Sequence, residues 1–413
     1  MMKSIIFLLC CLVFTGSIAL AQHTALPQIP ANTFLVTSFG AAGDGKTLNT
    51  VTIQRALDSA RIHGGKVIIP KGIFLCGPLQ MYSHTALELQ SGAILRLRND
   101  IANYPIGNER YLNFISILDA TDIKISGPGT IDGQGQNWWT KYTDKELQYR
   151  RPQLLFIEKC KRVELEGILT LDPPNTHISL RNCTDVYIHD IRIQAPDESR
   201  NTDGINVSAR NCTIENCDIR TGDDNIAINF GDRNKGELPQ CSDILIRNCF
   251  FGVGHGLSIG SFTSGGLRNL KVEHCEFDGT TSGLRIKSAR GRGGIVENLR
   301  YSDLTIKNCK WPIFFSCYYP KEPLKPEQDT SFADVPFMPV FRNIRCSNIR
   351  VVNAGTGIRI WGLPGSPITD CYFENVQINA DKPGEISYAK GLRFISSTIK
   401  MKPELYHAEV SGL

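Results

Sequence analysis

The sequence lacks the features that mark several large classes of protein. It has no run of five or six basic residues, and 45 Lys and Arg against 41 Asp and Glu give a net charge of only +4. This balance argues against a nucleic-acid partner, which needs a concentrated basic surface. Beyond the first 21 residues, no stretch is apolar enough to predict a membrane span. Gly43-Asp44-Gly45 lacks the Gly-Lys-Ser/Thr ending of a phosphate-binding loop.

The first 21 residues have the pattern of a signal peptide. Lys3 precedes an apolar run from Ile5 to Leu20, and Ala19-Leu20-Ala21 matches an A-x-A cleavage site. The run is shorter than the ~18 to 20 apolar residues of a membrane span, which argues against an anchor. We therefore predict a signal peptide at residues 1–21 and a mature protein that is exported, either periplasmic or extracellular.

The chain has 14 cysteines, but they do not have the spacing of a metal-binding site. Loss of Cys10 and Cys11 with the signal peptide would leave twelve, and these form no paired C-x-x-C zinc pattern. An exported protein invites a disulfide interpretation. However, many of the twelve follow Asn or His inside apolar segments, where Cys behaves as a small buried hydrophobe. We expect most to be unpaired interior residues; the clearest cases are Cys183, Cys212, Cys217, Cys249, Cys275 and Cys309.

A short repeated phrase, apolar-x-Asn-apolar, predicts the architecture. Its third position falls at 190, 216, 248, 274, 308, 348 and 375, so the successive intervals are 26, 32, 26, 34, 40 and 27 residues. The phrases lie in segments that alternate apolar and polar residues, which is typical of strands. Repeats of this length without helices between them predict an all-β, right-handed, single-stranded parallel β-helix. The Asn residues should form a ladder of side-chain amides at one turn.

The beginning of the chain predicts a helical cap for this solenoid. Asn49-Thr50 is a candidate helix N-terminus, and Gly64-Gly65 should end the helix. Strands follow at 66–70 and 86–89. We predict a cap region at 33–75 within a single catalytic β-helix domain at 22–413, and a loop from Tyr319 to Pro339. The apolar residues at near-helical spacing are Val51, Ile53, Ala56, Leu57 and Ala60.

Four polar clusters interrupt the strand pattern about one coil apart. From Asp203 to Asp223 is 20 residues, from Asp224 to His255 is 31, and from His255 to Arg285 is 30. Residues at the same phase of adjacent coils lie on one face, about one strand spacing apart. Each cluster alone would more often be a turn or a solvated face, but together they predict a site. The clusters are Asn201-Thr202-Asp203-Gly204, Gly222-Asp223-Asp224-Asn225, Gly254-His255-Gly256 and Arg285-Ile286-Lys287.

These residue types suit the cleavage of an acidic polysaccharide. A glycosidase needs one carboxylic acid to protonate the leaving oxygen and a carboxylate to activate water. Repulsion among Asp203, Asp223 and Asp224 would help to keep one of them protonated near neutral pH. The strand period of two directs Arg285 and Lys287 outward, where they could hold a uronate carboxylate.

The order Asn-Thr-Asp, Asp-Asp, Gly-His-Gly, Arg-Ile-Lys resembles the signature of the polygalacturonases, glycoside hydrolase family 28. The resemblance covers nearly the whole mature chain and implies an inverting hydrolase of α-1,4-linked galacturonic acid in pectin, without a metal or cofactor. It also implies a role for each site residue. The catalytic set would be Asp223 as general acid, Asp203 and Asp224 activating water and His255 supporting the acid, with Asn201, Arg285 and Lys287 binding substrate, the last two on the leaving-group side.

Further segments resemble the family, and several alternatives stay open. Arg285 to Glu297 is similar to the exo-acting bacterial branch, and Trp138-Trp139 could stack on sugar or pack under a loop. Rival enzymes are a rhamnogalacturonan or xylogalacturonan hydrolase and a calcium-dependent pectate lyase. A carbohydrate-binding β-helix without activity is a third alternative. We expect a monomer that binds a pectic substrate, with no nucleic-acid partner.

Overall fold

The computed structural model describes residues 24–401, apart from 234–235, 237, 240, 324 and 330–334. The predicted signal peptide at 1–21 therefore lies outside the described residues. Strands one coil apart pair with each other throughout the described chain, and every ladder of the two large sheets is parallel. The chain is thus a parallel β-helix, and the predicted fold class is confirmed. Among the described residues, no helix has the length and apolar character needed to cross a membrane.

One face of the β-helix is an 11-stranded parallel sheet, which we call the front sheet. Its strands follow each other one per coil, and inward residues repeat in register, as in the aliphatic column that contains Ile178, Ile205, Ile226 and Leu257. Each of these four side chains is at most 1% exposed, and burial of each contributes about 1.5 to 3 kcal/mol. The strands are Leu79–Met81, Ile115–Leu118, Leu155–Glu158, Ile178–Arg181, Ile205–Val207, Ile226–Ile228, Leu257–Ile259, Ser282–Lys287, Trp311–Ser316, Ile358–Trp361 and Glu385–Ser387.

The remaining faces form a 24-stranded parallel sheet. One row contains Thr33–Leu35, Gly65–Ile69, Thr85–Leu89, Thr121–Ser126, Lys161–Glu166, Cys183–His189, Ala209–Glu215, Cys241–Arg247 and Leu267–Glu273. A second row contains Asp44–Leu48, Gly72–Cys76, Ala93–Leu97, Thr130–Asp132, Leu169–Leu171, Arg192–Gln194, Asp218–Arg220, Phe250–Phe251 and Glu276–Asp278. Long strands then run through both rows at Ile295–Cys309, Val340–Thr356 and Ile368–Lys382, and the last strands are Ala389–Lys390, Arg393–Ile395 and Thr398–Met401.

The predicted Asn ladder exists, but as several ladders. Asn248 donates to Asn216 on the preceding coil at 3.3 Å, and Asn375 donates to Asn348 at 2.9 Å. Asn308, however, bonds to Asp278 at 2.8 Å. The turn at 274 is followed on the next coil by position 303, since Glu273 pairs with Ser302. The sequence placed 274 and 308 at the same turn, and this was wrong. Position 308 lies at a different bend, because the continuous strand Ile295–Cys309 passes through two bends.

The N-terminal helix runs over Thr50–His63, followed by Gly64 with φ of 65°. Its buried residues are Ile53, Ala56, Leu57 and Ala60, whereas Val51 is 63% exposed and does not belong to the buried stripe. Asn49 occupies the N-cap position but makes no capping bond with its side chain. That amide instead bonds to the backbone of Ala42 and Thr47, so it fixes the Gly-rich turn.

Other elements are inserted between coils. They are the antiparallel pair Ile106–Gly107 and Arg110–Tyr111, the helix Gln136–Thr143, and the 3-10 helices Val36–Phe39 and Pro326–Gln328. Trp138 is fully buried against Tyr104 and Tyr111, and the Trp139 indole donates to the Pro173 carbonyl at 2.9 Å. Both tryptophans therefore pack under inserted segments. The described part of 319–339 contains no strand, as predicted for a loop.

All twelve cysteines of the described residues are free and buried. Cys249 lies within hydrogen-bonding contact of Cys217 and of Cys275 along the stack. The prediction of unpaired interior thiols is confirmed for these residues. The cysteines thus act as small core side chains, in line with Ile, Val and Leu on other coils.

Candidate active site

The residues predicted for the site lie on the front sheet or in the turns that lead into it. The strands concerned pair in register on four consecutive coils, which are ~4.8 Å apart. The structure therefore brings all seven residues into one patch. They are Asn201 and Asp203 before Ile205–Val207, Asp223 and Asp224 before Ile226–Ile228, His255 before Leu257–Ile259, and Arg285 and Lys287 within Ser282–Lys287.

Tight backbone packing holds the turn that carries His255. Gly254 has φ of 133°, and a Cβ there would lie 2.6 Å from the Asn225 side chain; at Gly256, with φ of 80°, it would lie 1.9 Å from the Ser282 carbonyl. Only glycine tolerates both demands. Buried Asn225 accepts from the Gly256 amide at 2.7 Å and donates to the Ile219 carbonyl at 2.8 Å. Contacts with adjacent coils therefore require both glycines.

Asp224 is the most heavily bonded carboxylate of the patch. The Lys287 ammonium lies 2.7 Å from Asp224 Oδ2, and the Ser258 hydroxyl donates to Oδ1 at 2.7 Å. The Arg285 guanidinium is 3.4 Å from the same Oδ1. Lys287 and Asp224 are each about 5% exposed, so the pair is removed from water and neither charge is left uncompensated. Both predicted substrate-binding cations therefore contact Asp224.

Asp223 pairs with His255. The imidazole Nδ1 lies 3.0 Å from Asp223 Oδ1, and the Asn201 amide is 3.4 Å from Oδ2. Burial alone would raise the pKa of Asp223, but the hydrogen bond and positive charge of His255 outweigh it and the pKa lies below its usual value. The same bond raises the pKa of His255. The pairing therefore favours the protonated imidazole, whose Nδ1 faces the carboxylate.

Asp203 has the opposite shift. Burial, followed by the negative charges of Asp223 and Asp224, raises the pKa of Asp203 to about 7, and the amide of Asn206 offsets this only in part. That amide donates to Asp203 Oδ2 at 2.9 Å. The predicted repulsion is thus present, and it raises the pKa of Asp203, whereas His255 lowers the pKa of Asp223. The patch combines carboxyl groups with opposite pKa shifts, as acid and base chemistry requires.

Sequence reasoning missed several residues of the patch. Buried Arg151 donates to Asn201 Oδ1 at 2.9 Å and to the Arg200 carbonyl at 3.0 Å, and its guanidinium lies 3.9 Å from the Tyr142 ring centroid. The Tyr319 ring lies 5.1 Å from the Lys287 ammonium and 5.5 Å from the Arg285 guanidinium. Arg151 and Tyr319 come from segments outside the repeat, so coil spacing gave no signal for them.

A divalent cation has an unfavourable setting here. Donor atoms of Asp223, Asp224 and His255 lie within 4.8 Å of one another, which on spacing alone could suit a metal. Lys287 and Arg285 already contact both oxygens of Asp224, and a divalent cation would meet their positive charges at close range. The donor set fits proton chemistry better than calcium binding.

A parallel β-helix that carries three carboxylates, an imidazole and two cations on one face defines a carbohydrate-cleaving enzyme of the β-helix class. The model of the glycosyl hydrolases family 28 matches residues 60–394. The chain belongs to this family, that of the polygalacturonases, and is a glycosidase.

Individual relatives are consistent with this assignment. The chain is 30% identical over 387 residues to a probable polygalacturonase of Vitis vinifera, covering 88% of this chain and 78% of that protein. It is 35% identical over 298 residues to an endo-polygalacturonase of Pectobacterium parmentieri, covering 66% and 73%. The crystal structure of an exopolygalacturonase from Thermotoga maritima superposes with a TM-score of 0.77 at 26% identity, covering 92% and 94%. Relatives of both endo and exo type are therefore similar to this chain.

Proposed function

We propose that the protein hydrolyses α-1,4-linked galacturonic acid in pectin with inversion at the anomeric carbon. The observation that carries the proposal is the joined network of Asp223 with His255 and Asp224 with Lys287 on the front sheet of a family 28 chain. Its two halves differ in their partners: the Lys287 ammonium lies 2.7 Å from Asp224, while the His255 imidazole lies 3.0 Å from Asp223. An inverting hydrolysis needs one carboxylic acid and one carboxylate simultaneously.

Asp223 is the general acid of the proposal. Its side chain is 22% exposed, against 6% for Asp224, so it is the more accessible of the two to a glycosidic oxygen. Asp223 gives a proton to the leaving oxygen as the glycosidic C–O bond breaks, and the His255 imidazolium supplies that proton. Asp203 and Asp224 orient a water, and one of these carboxylates accepts its proton while the water oxygen attacks the anomeric carbon. Asn201, Arg285 and Lys287 bind the substrate.

We further propose exo action, with short products released from a chain end. Two inserted segments meet on the N-terminal side of the patch, since Arg110 and Arg150 form a backbone bridge. Arg151 fastens the second segment to the coil of Asn201. Inserts in this position would restrict the number of sugar units that fit on that side. The resemblance of Arg285 to Glu297 to exo-acting members supports the same mode.

Digestion of polygalacturonic acid with and without EDTA tests the activity. We expect new reducing ends, no ultraviolet absorbance from unsaturated products, and no effect of EDTA. Absorbance that disappears with EDTA would establish a calcium-dependent lyase, and absence of product would favour another pectic substrate or a binding-only role. Proton NMR of the first product should show the β-anomer, and product size should be monomer if action is exo.

Export is part of the same proposal. A signal peptide at residues 1–21 would deliver the enzyme to the periplasm or the medium, where pectic oligomers are accessible. Expression of the full chain in a Gram-negative host, fractionation and N-terminal sequencing should give a mature protein that begins at Gln22. Retention in the cytoplasm with an intact Met1 would contradict export.

A further inference from the structure

A line of cations runs along the β-helix on a face other than the front sheet. In the first row of the 24-stranded sheet, Lys271 pairs in register with Arg300, and Arg300 pairs with Arg345. Tyr372 and Arg393 continue the same column on the next two coils. The four cations of this column are exposed, and we call them the basic strip. Because successive coils are about 4.8 Å apart, the strip is parallel to the axis of the β-helix.

The strip places like charges side by side. Like charges directly opposite each other on neighbouring strands destabilise a sheet, and Lys271, Arg300 and Arg345 repeat this arrangement over three coils. Tyr372 separates the last two cations. Its ring centroid lies 4.8 Å from the Arg345 guanidinium and 5.6 Å from that of Arg393. The ring therefore helps to orient two guanidinium groups, but it neutralises neither.

Carboxylates leave most of the strip unneutralised. The Lys271 ammonium lies 2.7 Å from Glu273. Within the described residues, however, no carboxylate oxygen lies within 4 Å of Arg300, Arg345 or Arg393. The fold therefore sustains a repulsion among these side chains that an anionic ligand would relieve.

Earlier coils of the same row have a different arrangement. Lys66 lies 2.6 Å from Glu88 on the next coil, and Lys124 lies 2.6 Å from Glu166 on the next. Cations of the earlier coils thus have partners on neighbouring strands. The unpaired charge is a property of the later coils and not of the row as a whole.

The columns on both sides of the strip limit its width. One adjacent column contains Glu297 between Arg268 and Arg342, and the Arg342 guanidinium lies 2.8 Å from Glu297. The other contains Glu273 and Glu374 at its two ends, with serines between them. Unpaired positive charge is therefore concentrated in a narrow line.

A linear polyanion fits this line better than a small anion or a duplex. A polyuronate has one carboxylate on each sugar unit, at a spacing similar to that of the coils, so successive units can contact successive guanidinium groups. A nucleic-acid duplex presents phosphates on two strands around a cylinder, and those beside the strip would meet the flanking carboxylates. The charge pattern thus favours an acidic polysaccharide.

We infer that the basic strip is a second binding surface for an acidic polysaccharide, separate from the catalytic patch, with the polyuronate chain along Lys271, Arg300, Arg345 and Arg393. The inference rests on the proposed function for the identity of the polymer. A polymer held on this face stays close to the enzyme, which raises its effective concentration at the catalytic patch. A trisaccharide is too short to bind both surfaces.

Kinetics with a polymer and a trisaccharide test the inference. The test protein is the double variant Arg300→Gln, Arg345→Gln, in which Gln keeps a long polar side chain but removes the charge. Its matched control, Lys161→Gln, Arg210→Gln, removes two charges from exposed positions on earlier coils of the same row. Loss of two exposed ionic contacts should raise KM for polygalacturonate about three- to tenfold.

The other kinetic constants should not change. We expect KM for trigalacturonate, and kcat on both substrates, to equal those of the wild type, because neither substitution touches the catalytic patch. The control variant should match the wild type on both substrates. Equal KM values of the two double variants on the polymer would overturn the second surface and leave the hydrolase proposal intact.

Affinity electrophoresis in gels with and without polygalacturonate measures binding directly. Asp223→Asn serves as the background, so that the polymer stays intact, and saturating trigalacturonate blocks the catalytic patch. The polymer should still retard this protein, and the retardation should weaken at high salt because the contacts are exposed. Addition of Arg300→Gln and Arg345→Gln should remove it. Loss of retardation on addition of trigalacturonate alone would show that the catalytic patch is the site that binds.

Two further ligands test the chemistry of the strip. Fully methyl-esterified pectin lacks the charge, so it should not retard the protein, and duplex DNA should retard it less than polygalacturonate does. Equal retardation by the esterified polymer, or stronger retardation by DNA, would overturn the assignment to an acidic polysaccharide. Inactivity of the wild type on both substrates would instead contradict the proposed function, and the gels would still decide whether the strip binds the polymer.

Discussion

At the residue scale, the side chains of Asp223 and Asp203 differ in their hydrogen-bond partners. Asp223 has an imidazole 3.0 Å away, whereas Asp203 has only the neutral amide of Asn206 at 2.9 Å. A cationic donor favours ionisation much more than an amide does. Together with the burial of Asp203 and the negative charges of Asp223 and Asp224, this difference in neighbours explains why the pKa of Asp203 is raised and that of Asp223 is lowered.

Replacement of Asp223 with Asn tests its role as general acid. The change keeps the shape but removes the proton supply, so we expect kcat to fall by about 100- to 10,000-fold while affinity for trigalacturonate stays within a few-fold. Reducing-end assays and calorimetry measure the two quantities. Asp197→Asn, at an exposed position near the patch, should leave both unchanged. Retention of more than about a tenth of kcat would contradict the assignment.

Replacement of Asp203 with Asn should stabilise the fold at high pH. The pKa of Asp203, about 7 in the folded chain, exceeds the value of about 3.9 of an unfolded Asp. Stability is therefore lost as pH rises from about 4 through 7. At pH 8 the variant should gain roughly 2 °C or more in Tm, and at pH 4 it should change little.

Thermal unfolding at both pH values measures this effect, with Asp197→Asn as control. An equal change in Tm at pH 4 and pH 8 would show that Asp203 is not held at a raised pKa. A decrease at pH 8 would show that its ionised form stabilises the fold.

The sequence was sufficient to predict that the seven residues lie in one patch, because they fall at coil spacing along the chain. It was insufficient for Arg151 and Tyr319, which reach the patch from inserted segments. The sequence was also insufficient to predict the pKa shifts of the site. These shifts depend on hydrogen bonds such as that of His255 to Asp223, and such bonds depend on side-chain placement. Spacing thus locates side chains on a coil but does not determine their partners.

At the element scale, the bends of the coils depend on residues that accept the left-handed backbone conformation. Asn298 has φ of 59°, donates to Asn269 at 3.3 Å and accepts from Asn343 at 2.6 Å. Asn tolerates this conformation better than other residues with a Cβ, because its short amide can bond locally. One side chain therefore supports both the bend of its own coil and the stacking of the next.

Asn298→Ala should destabilise the protein by about 1 to 2 kcal/mol, since Ala in this conformation is strained and the ladder bonds are lost. Asn298→Gly removes the same side chain without that strain, so it should cost less. Urea unfolding of both variants gives the comparison. Equal losses would show that the ladder bonds, and not the backbone conformation, determine the choice of Asn.

The repeat predicted most coils but was wrong where elements merge. Position 308 was assigned to the wrong bend because Ile295–Cys309 is one strand through two rows. Asn49 was predicted to cap a helix, yet its amide bonds to the turn before it. Local patterns indicate that a bend or a cap is present, whereas pairing with the neighbouring coil decides which groups it bonds.

At the scale of the whole molecule, the core contains many thiols that solvent does not reach. Burial raises the pKa of Cys160 to about 11 and that of Cys76 to about 12. Reaction with a disulfide reagent needs an exposed thiolate. The native protein without residues 1–21 should therefore titrate fewer than one thiol with Ellman's reagent at pH 8, and twelve after denaturation. Rapid reaction of several thiols before denaturation would contradict the buried arrangement.

The stacked thiols also make the chain sensitive to an oxidant during folding. Before the coils close, neighbouring cysteines such as Cys217 and Cys249 would be exposed, and any disulfide between cysteines would fix a contact before the register was complete. Strand pairing takes milliseconds to seconds, whereas disulfide formation takes seconds to hours. In an oxidising compartment, the yield of active protein is therefore set by competition between two rates, and any mutation that slows coil closure lowers the yield even if the final fold is equally stable.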